Sequence, residues 1–157
     1  MAELFVKYAP LWAALFSWVL AQCIKLVISL VQEGRINVAK LIDTGGMPSS
    51  HSALVASICT SVGLIRGWDS IEFAITAVFT AIVLYDATGI RRSAGEHAAA
   101  LNDIIPQLLA GKFLKPDTKF REEYRELLGH NPAEVVVGSI LGAIVTLLFL
   151  YGYGVVR

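Results

Sequence analysis

Charge is what this chain has least of. Aspartate, glutamate, lysine and arginine make up 17% of its 157 residues, against about a quarter in soluble globular domains. That shortage excludes an ordinary water-solvated surface over most of the chain. Neither sign prevails, because 13 basic residues offset 13 acidic ones, so no global field favours nucleic acid. Cysteine is sparse as well. Cys23 and Cys59 fall inside apolar stretches, where they read as small buried hydrophobes with no bearing on redox compartment. The first apolar run, 11–31, is longer than the roughly 7–15 residues of a signal-peptide core, and no small-x-small cleavage site follows it. Internal repeats and low-complexity tracts are missing too.

What the chain does have is apolar length. Hydrophobic residues reach 55%, and mean hydropathy is +0.63. The run 11–31, broken only by Gln22 and Lys25, is long enough to cross a hydrocarbon core about 30 Å thick. Three further apolar segments follow. Segment 52–65 is short and rich in small residues that let helices approach closely, and it spans only if thin or partly re-entrant. Segment 71–85 extends its apolar character to Gly89. Segment 135–156 is the most apolar, and its Gly138-x-x-x-Gly142 is a close-packing pattern for helix pairs.

Start and stop signals separate these runs. Arg66-Gly67-Trp68 closes the second, and Asp69 with Glu72 three residues on predicts the cap of the third. Asn131, Pro132 and Glu134 predict the start of the last, with proline at the first helical position. The polar stretch 91–130 predicts amphipathic helices over 96–109 and 118–128, hinged near Gly111 and Pro116 and lying along the membrane surface. His130 falls in the surface turn ahead of the last helix and receives no role. The expected architecture is all-α: one polytopic membrane domain over 1–157, a bundle of about four transmembrane helices with amphipathic surface helices.

Four spans put both termini and the Gly67 turn on one side, and segments 32–50 and 91–130 on the other. The second side holds Arg35, Lys40, Arg91, Arg92, Lys112, Lys115, Lys119, Arg121 and Arg125. Positive charge stays cytoplasmic, so this side is expected to face the cytoplasm of a plasma or organellar membrane.

Both chemically loaded patches fall on that side. The first is Gly45-Gly46-Met47-Pro48-Ser49-Ser50-His51-Ser52. Its glycines permit a tight turn, its serines favour an N-cap, and the helix amides that follow point donors at an anion. His51 then stands beside that cradle as a proton donor or acceptor. The second patch runs from Tyr85-Asp86 through Gly89-Ile90-Arg91-Arg92 to Glu96-His97. It supplies guanidinium forks suited to phosphate oxygens and a second histidine. Together they form a phosphoryl-transfer kit in which one imidazole attacks phosphorus, the other protonates the leaving oxygen, and arginine stabilises transition-state charge. That design calls for no metal and no cofactor.

At these residues the sequence resembles the divergent branch of the type 2 phosphatidic acid phosphatase superfamily, which also contains vanadium-dependent haloperoxidases. The superfamily patterns are Lys-x6-Arg-Pro, Pro-Ser-Gly-His and Ser-Arg-x5-His-x3-Asp. Pro48-Ser49-Ser50-His51 matches the second with Ser50 for glycine, and Arg91-x5-His97 matches the core of the third with Ile90 for serine. The resemblance implies a His97 nucleophile, a His51 general acid, and Arg91 and Ser49 as phosphate ligands. Two departures stand out. Leu101 occupies the place of the third pattern's aspartate, and Asp103 lies roughly 200° further round a helix. Met47 stands where the first pattern has arginine, six residues after Lys40.

Each candidate also has a plainer explanation. Arginines at a membrane boundary snorkel and set topology, which covers Arg91 and Arg92. A carboxylate such as Asp86 near the end of a span usually has a partner, and Arg91 or Arg92 would serve. Lys25 carries the same penalty, which snorkelling to the surface relieves; Lys40 and Asp43 flank the glycine turn. Trp12, Trp18 and Trp68 suit interface anchoring. The leading expectation is a phosphatase-like integral membrane protein that hydrolyses a lipid phosphate or pyrophosphate through a histidine, without metal. His51, His97 and Arg91 would be catalytic, and Ser49, Ser50, Lys40, Arg92, Lys25 and Asp86 would bind substrate. Its partners would be membrane lipids and the phosphorylated amphiphile. Two alternatives are an inactive anion- or lipid-binding subunit and a small transporter lined by Lys25, Asp43 and Asp86. The transporter needs a homo-oligomer, for which Gly138-x-x-x-Gly142 offers a contact.

Overall fold

The structure is a computed structural model that describes residues 7–34, 46–110 and 130–156, the side chains of residues 33, 91, 92, 109 and 110 aside. Regular structure among the described residues is entirely helical: α1 Ala9–Glu33, α2 Ser50–Arg66, α3 Ile71–Thr88, α4 Ile90–Ala110 and α5 Pro132–Gly152. Three stretches, Ala9–Gln32, Ile71–Leu108 and Pro132–Gly152, hold helix long and apolar enough to cross a membrane. The chain is thus a helical membrane bundle, as its composition predicts.

The short second segment is the centre of that bundle. Helix α2 packs against α1, α3 and α5, and its buried face is Ser50, Ser52, Ala53, Val55, Ser57, Ser61 and Gly63. Small side chains are what let three neighbours close in on one helix. At 17 residues it is roughly 25 Å long. It runs beside α5 in the same direction and in register. A β-carbon on Gly138 would stand 3.1 Å from Ser49 N and C, and one on Gly142 would stand 2.9 Å from Ala53 C. One turn further, Ser57 Oγ and Thr146 Oγ1 share a hydrogen bond of 2.6 Å. The pairs 49/138, 53/142 and 57/146 advance by four on both helices. The Gly138–Gly142 face is therefore filled within the chain by α2.

Helix α1 runs opposite to α5, since Phe16, in its first half, stacks against Phe149 near the end of α5 at 6.3 Å between centroids. Among its buried residues, Ala9, Ala13, Ser17, Ala21, Lys25 and Ser29 recur every fourth position, with Ala14 and Gln22 beside them, the period of one helical stripe. Helix α3 returns antiparallel to α2 after the Gly67 turn, and Thr80 Oγ1 donates to the Val55 carbonyl at 3.2 Å. Its opposite face presents Ile71, Ile75, Val78, Phe79, Ile82 and Tyr85, each at least 60% exposed. Such a stripe is a liability in water and an ordinary surface in lipid.

Caps differ from expectation in one place. Ser70, not Asp69, caps α3 by accepting from Phe73 N–H at 3.1 Å. Glu72 instead takes two bonds from the Arg66 guanidinium, 3.1 Å from Nε and 2.7 Å from Nη2. Opposite charge across the turn outcompetes a backbone amide for that carboxylate. Pro132 opens α5 after Asn131 as predicted. The amphipathic helix expected over 96–109 forms as part of the longer α4, which contains Pro106; segment 118–128 lies outside the described residues.

Candidate functional site

Four helix termini converge at one end of the bundle: the end of α1, the start of α2, the end of α3 and the start of α5. Two backbone bonds tie the last three together. Ser49 N–H donates to the Glu134 carbonyl at 3.1 Å, and His130 N–H donates to the Ala87 carbonyl at 3.0 Å. The two sequence patches, 45–52 and 85–97, thus begin at the same end of the molecule. This is the arrangement that counting spans predicts.

The first patch makes the predicted turn and cap. Gly46 sits at φ 91°, a conformation that costs glycine little and other residues more. Ser49 caps α2: its buried Oγ accepts from Ser52 N–H at 3.3 Å and from the Ser52 hydroxyl at 2.8 Å. Ser49 Oγ is thus committed to holding the helix start. Ser50 is buried beside it, while His51 is exposed on the first turn of α2.

The second patch divides over α3 and α4. Asp86 is half-buried in the last turn of α3, next to Ala87, whose carbonyl receives His130. Gly89 separates the helices, and Arg91 and Arg92 occupy the first turn of α4. His97 is exposed two turns on, and α4 packs against α3 alone among the described helices. Leu101, one turn beyond His97, is exposed as well. Among the described residues His97 has no hydrogen-bonding side chain turned to it.

Lys25 is 4% exposed, in the interior of a membrane bundle. From Phe16 to Lys25 the helix rises about 13.5 Å, and from Phe149 back to Gly138 about 16.5 Å. The Lys25 backbone therefore lies within about one turn of the level of Ser49, at the patch end. Ser29, one turn closer to that end, is 1% exposed and its Oγ has no hydrogen-bond partner among the described residues. Lys40 and Asp43 fall outside the described residues.

One residue was passed over. His130, assigned to a surface turn, is 4% exposed, and its Nδ1 lies 2.9 Å from Glu134 Oε2. The i,i+4 spacing that puts both side chains on one helical face was legible. What hid the pair is that His130 precedes the helix, so its burial depends on the contact of its backbone with α3.

Comparison with known proteins points to one family. A family model described as "Divergent PAP2 family" matches residues 6–145. A Bacillus subtilis (strain 168) protein described as "Uncharacterized membrane protein YuiD" is 39% identical over 148 residues, covering 90% of this chain and 94% of the relative. No solved structure matches the chain.

Proposed function

Since the chain belongs to the divergent PAP2 family, we propose that it hydrolyses the phosphate or pyrophosphate of a membrane amphiphile through a histidine nucleophile, without metal. The observation that carries this reading is the meeting of the Ser49–His51 turn and the Asp86–Arg92 segment at one bundle end, joined through Ala87, His130 and Glu134. A headgroup at that end leaves its acyl or prenyl chain in the bilayer along the apolar face of α3. The family pattern gives the nucleophile role to His97, the proton-donor role to His51 and transition-state stabilisation to Arg91. Ser50, Lys40, Arg92, Lys25 and Asp86 complete the headgroup contacts, with Ser49 holding the turn. The excess of basic residues in 32–50 and 91–130 orients this end toward the cytoplasm.

The test is phosphate release by the purified chain in detergent micelles, over a panel of phosphatidic acid, lysophosphatidic acid and farnesyl pyrophosphate. Wild type is expected to turn over at least one of them, and His51→Ala to lose about 100-fold or more. Equal release by wild type and His51→Ala defeats the catalytic reading.

A second reading is favoured by Leu101 and Met47, which stand where the family patterns place aspartate and arginine. In it the same end binds an anionic headgroup without turnover, as a structural or regulatory subunit. Saturable vanadate or phosphatidic acid binding, together with no phosphate release, distinguishes it.

A further inference from the structure

Three helices pack against α2, and one of its faces is left between two of them. Successive residues turn about 100° round a helix, so each contact fixes a side. Ala53 and Ser57 face α5 through Gly142 and Thr146. Val55 lies on the α3 side, where Thr80 reaches its carbonyl. Ser50 and Ser61, buried on the flank of Ser57 away from Ala53, face α1. Between Ser61 and Val55 remain His51, Leu54, Ile58, Val62 and Ile65, spaced by three and four residues on one stripe. None is buried: His51 and Ile65 are exposed, the other three half-buried. The described residues of α1 and α3 make no contact with each other. The stripe is therefore the floor of a cleft flanked by α1 and α3. Trp18, about 200° round α1 from Phe16, stands on the flank away from α5 and walls it. Beyond His51 the floor is aliphatic, and His51 belongs to the headgroup end.

We propose that this cleft holds the single hydrocarbon chain of the substrate and that Ile58 and Val62 set its length. The inference rests on the hydrolytic reading above and deepens it, moving the chain from the open face of α3 onto α2. A floor one stripe wide takes one chain. Two acyl chains abreast would need a second floor, and the neighbouring Ser61 and Val55 are already covered by α1 and α3. From His51 to Ile65 the helix rises about 21 Å. Carbon–carbon bonds of about 1.5 Å at about 111° advance an extended chain roughly 1.25 Å per carbon. About 16 backbone carbons then fill the cleft, the length of a geranylgeranyl chain. Ile58 lies about 10.5 Å and Val62 about 16.5 Å beyond the level of His51, the reach of about 8 and about 13 carbons. A bulky side chain at either position should cut the cleft to that length.

The experiment uses the full chain in micelles with geranyl, farnesyl and geranylgeranyl pyrophosphates, whose chains have about 8, 12 and 16 backbone carbons. Val62→Trp is expected to lower kcat/KM for geranylgeranyl pyrophosphate about tenfold or more and to leave the two shorter substrates within about threefold of wild type. Ile58→Trp should lower farnesyl pyrophosphate as well and spare geranyl. Leu148→Trp, at a position 71% exposed on the outside of α5, should leave all three within about threefold. A geranylgeranyl pyrophosphate carrying a diazirine on its last isoprene unit gives a readout that needs neither turnover nor a variant. On wild type its photoadduct is expected within residues 58–66 of α2 and should be lost when unlabelled geranylgeranyl pyrophosphate competes. Adducts on α5 or spread over the outer helix faces overturn the cleft, as does a Val62→Trp chain that still prefers geranylgeranyl pyrophosphate, and either result leaves the hydrolytic reading intact. Should a tryptophan variant lose all turnover, the adduct on wild type decides. An adduct on α2 without phosphate release from any probe overturns hydrolysis and keeps the chain site.

Discussion

The closest approach in the bundle makes the sharpest test of how it is held together. A methyl group added at Gly142 would stand 2.9 Å from Ala53 C and 3.0 Å from Ala53 Cα, where carbon atoms prefer about 3.5–4.0 Å. Gly142→Ala must therefore push α5 off α2 by roughly 0.5–1 Å at that level. The nearest atoms belong to backbone inside a helix, so neither rotamer change nor local bending relieves the clash. Overpacking of this kind costs about 1–3 kcal/mol. The Ser57–Thr146 bond, 2.6 Å long and one turn away, stretches with it. Against that, alanine is the better helix former by about 0.8–1.0 kcal/mol. A control separates the two effects. Gly152 lies in the same helix, and an added β-carbon there meets nothing within 4 Å, so Gly152→Ala should be neutral or slightly stabilising. Unfolding in mixed dodecyl maltoside and SDS micelles, followed by tryptophan fluorescence, gives the two midpoints. Gly142→Ala is expected to unfold at lower SDS than wild type and Gly152→Ala at equal or higher SDS. Coincident midpoints for the two variants would refute the backbone-contact account.

Three other outcomes follow from the same packing. A double-mutant cycle of Ser57→Ala and Thr146→Ala should show a coupling of about 0.6 kcal/mol, the size usual for a hydrogen bond between membrane helices; additive effects would mean that the hydroxyls do not cooperate. A β-carbon at Gly63 would come 2.5 Å from the Trp68 ring, which stands edge-on to Phe73 at 5.0 Å and 79°. In a chain whose other tryptophans are replaced by phenylalanine, Gly63→Ala should turn that indole outward and red-shift its emission, and an unchanged spectrum counts against the contact. With the native cysteines replaced by alanine, single cysteines at Asp69 and Asp86 should react with an impermeant maleimide from opposite faces of a vesicle. Reaction of both from one face contradicts the antiparallel α2–α3 pair.

Helix existence was legible in the sequence because solvent, not tertiary detail, imposes it. A backbone in hydrocarbon must satisfy its own hydrogen bonds, so runs such as 11–31 and 135–156 could only be helices. The same holds for the Ser49 cap, a local side-chain bond, and for the shared end of the two patches, which follows from the parity of crossings. The helix over 96–109 was legible too, though not that it starts at Ile90. Partner choice was not legible. Gly138-x-x-x-Gly142 reads equally well as a surface for another chain or for α2, and only the three-dimensional register with Ser49, Ala53 and Ser57 decides for α2. Likewise Glu72 serves Arg66 rather than the α3 amides because a tertiary turn brings the guanidinium within reach. His130 is the clearest case. Its spacing from Glu134 belongs to the sequence, but its burial comes from the Ala87 carbonyl, 43 residues earlier in the chain. Short-range chemistry and the solvent set the elements of this protein, whereas which polar groups leave water together depended on contacts that no local stretch of residues encodes.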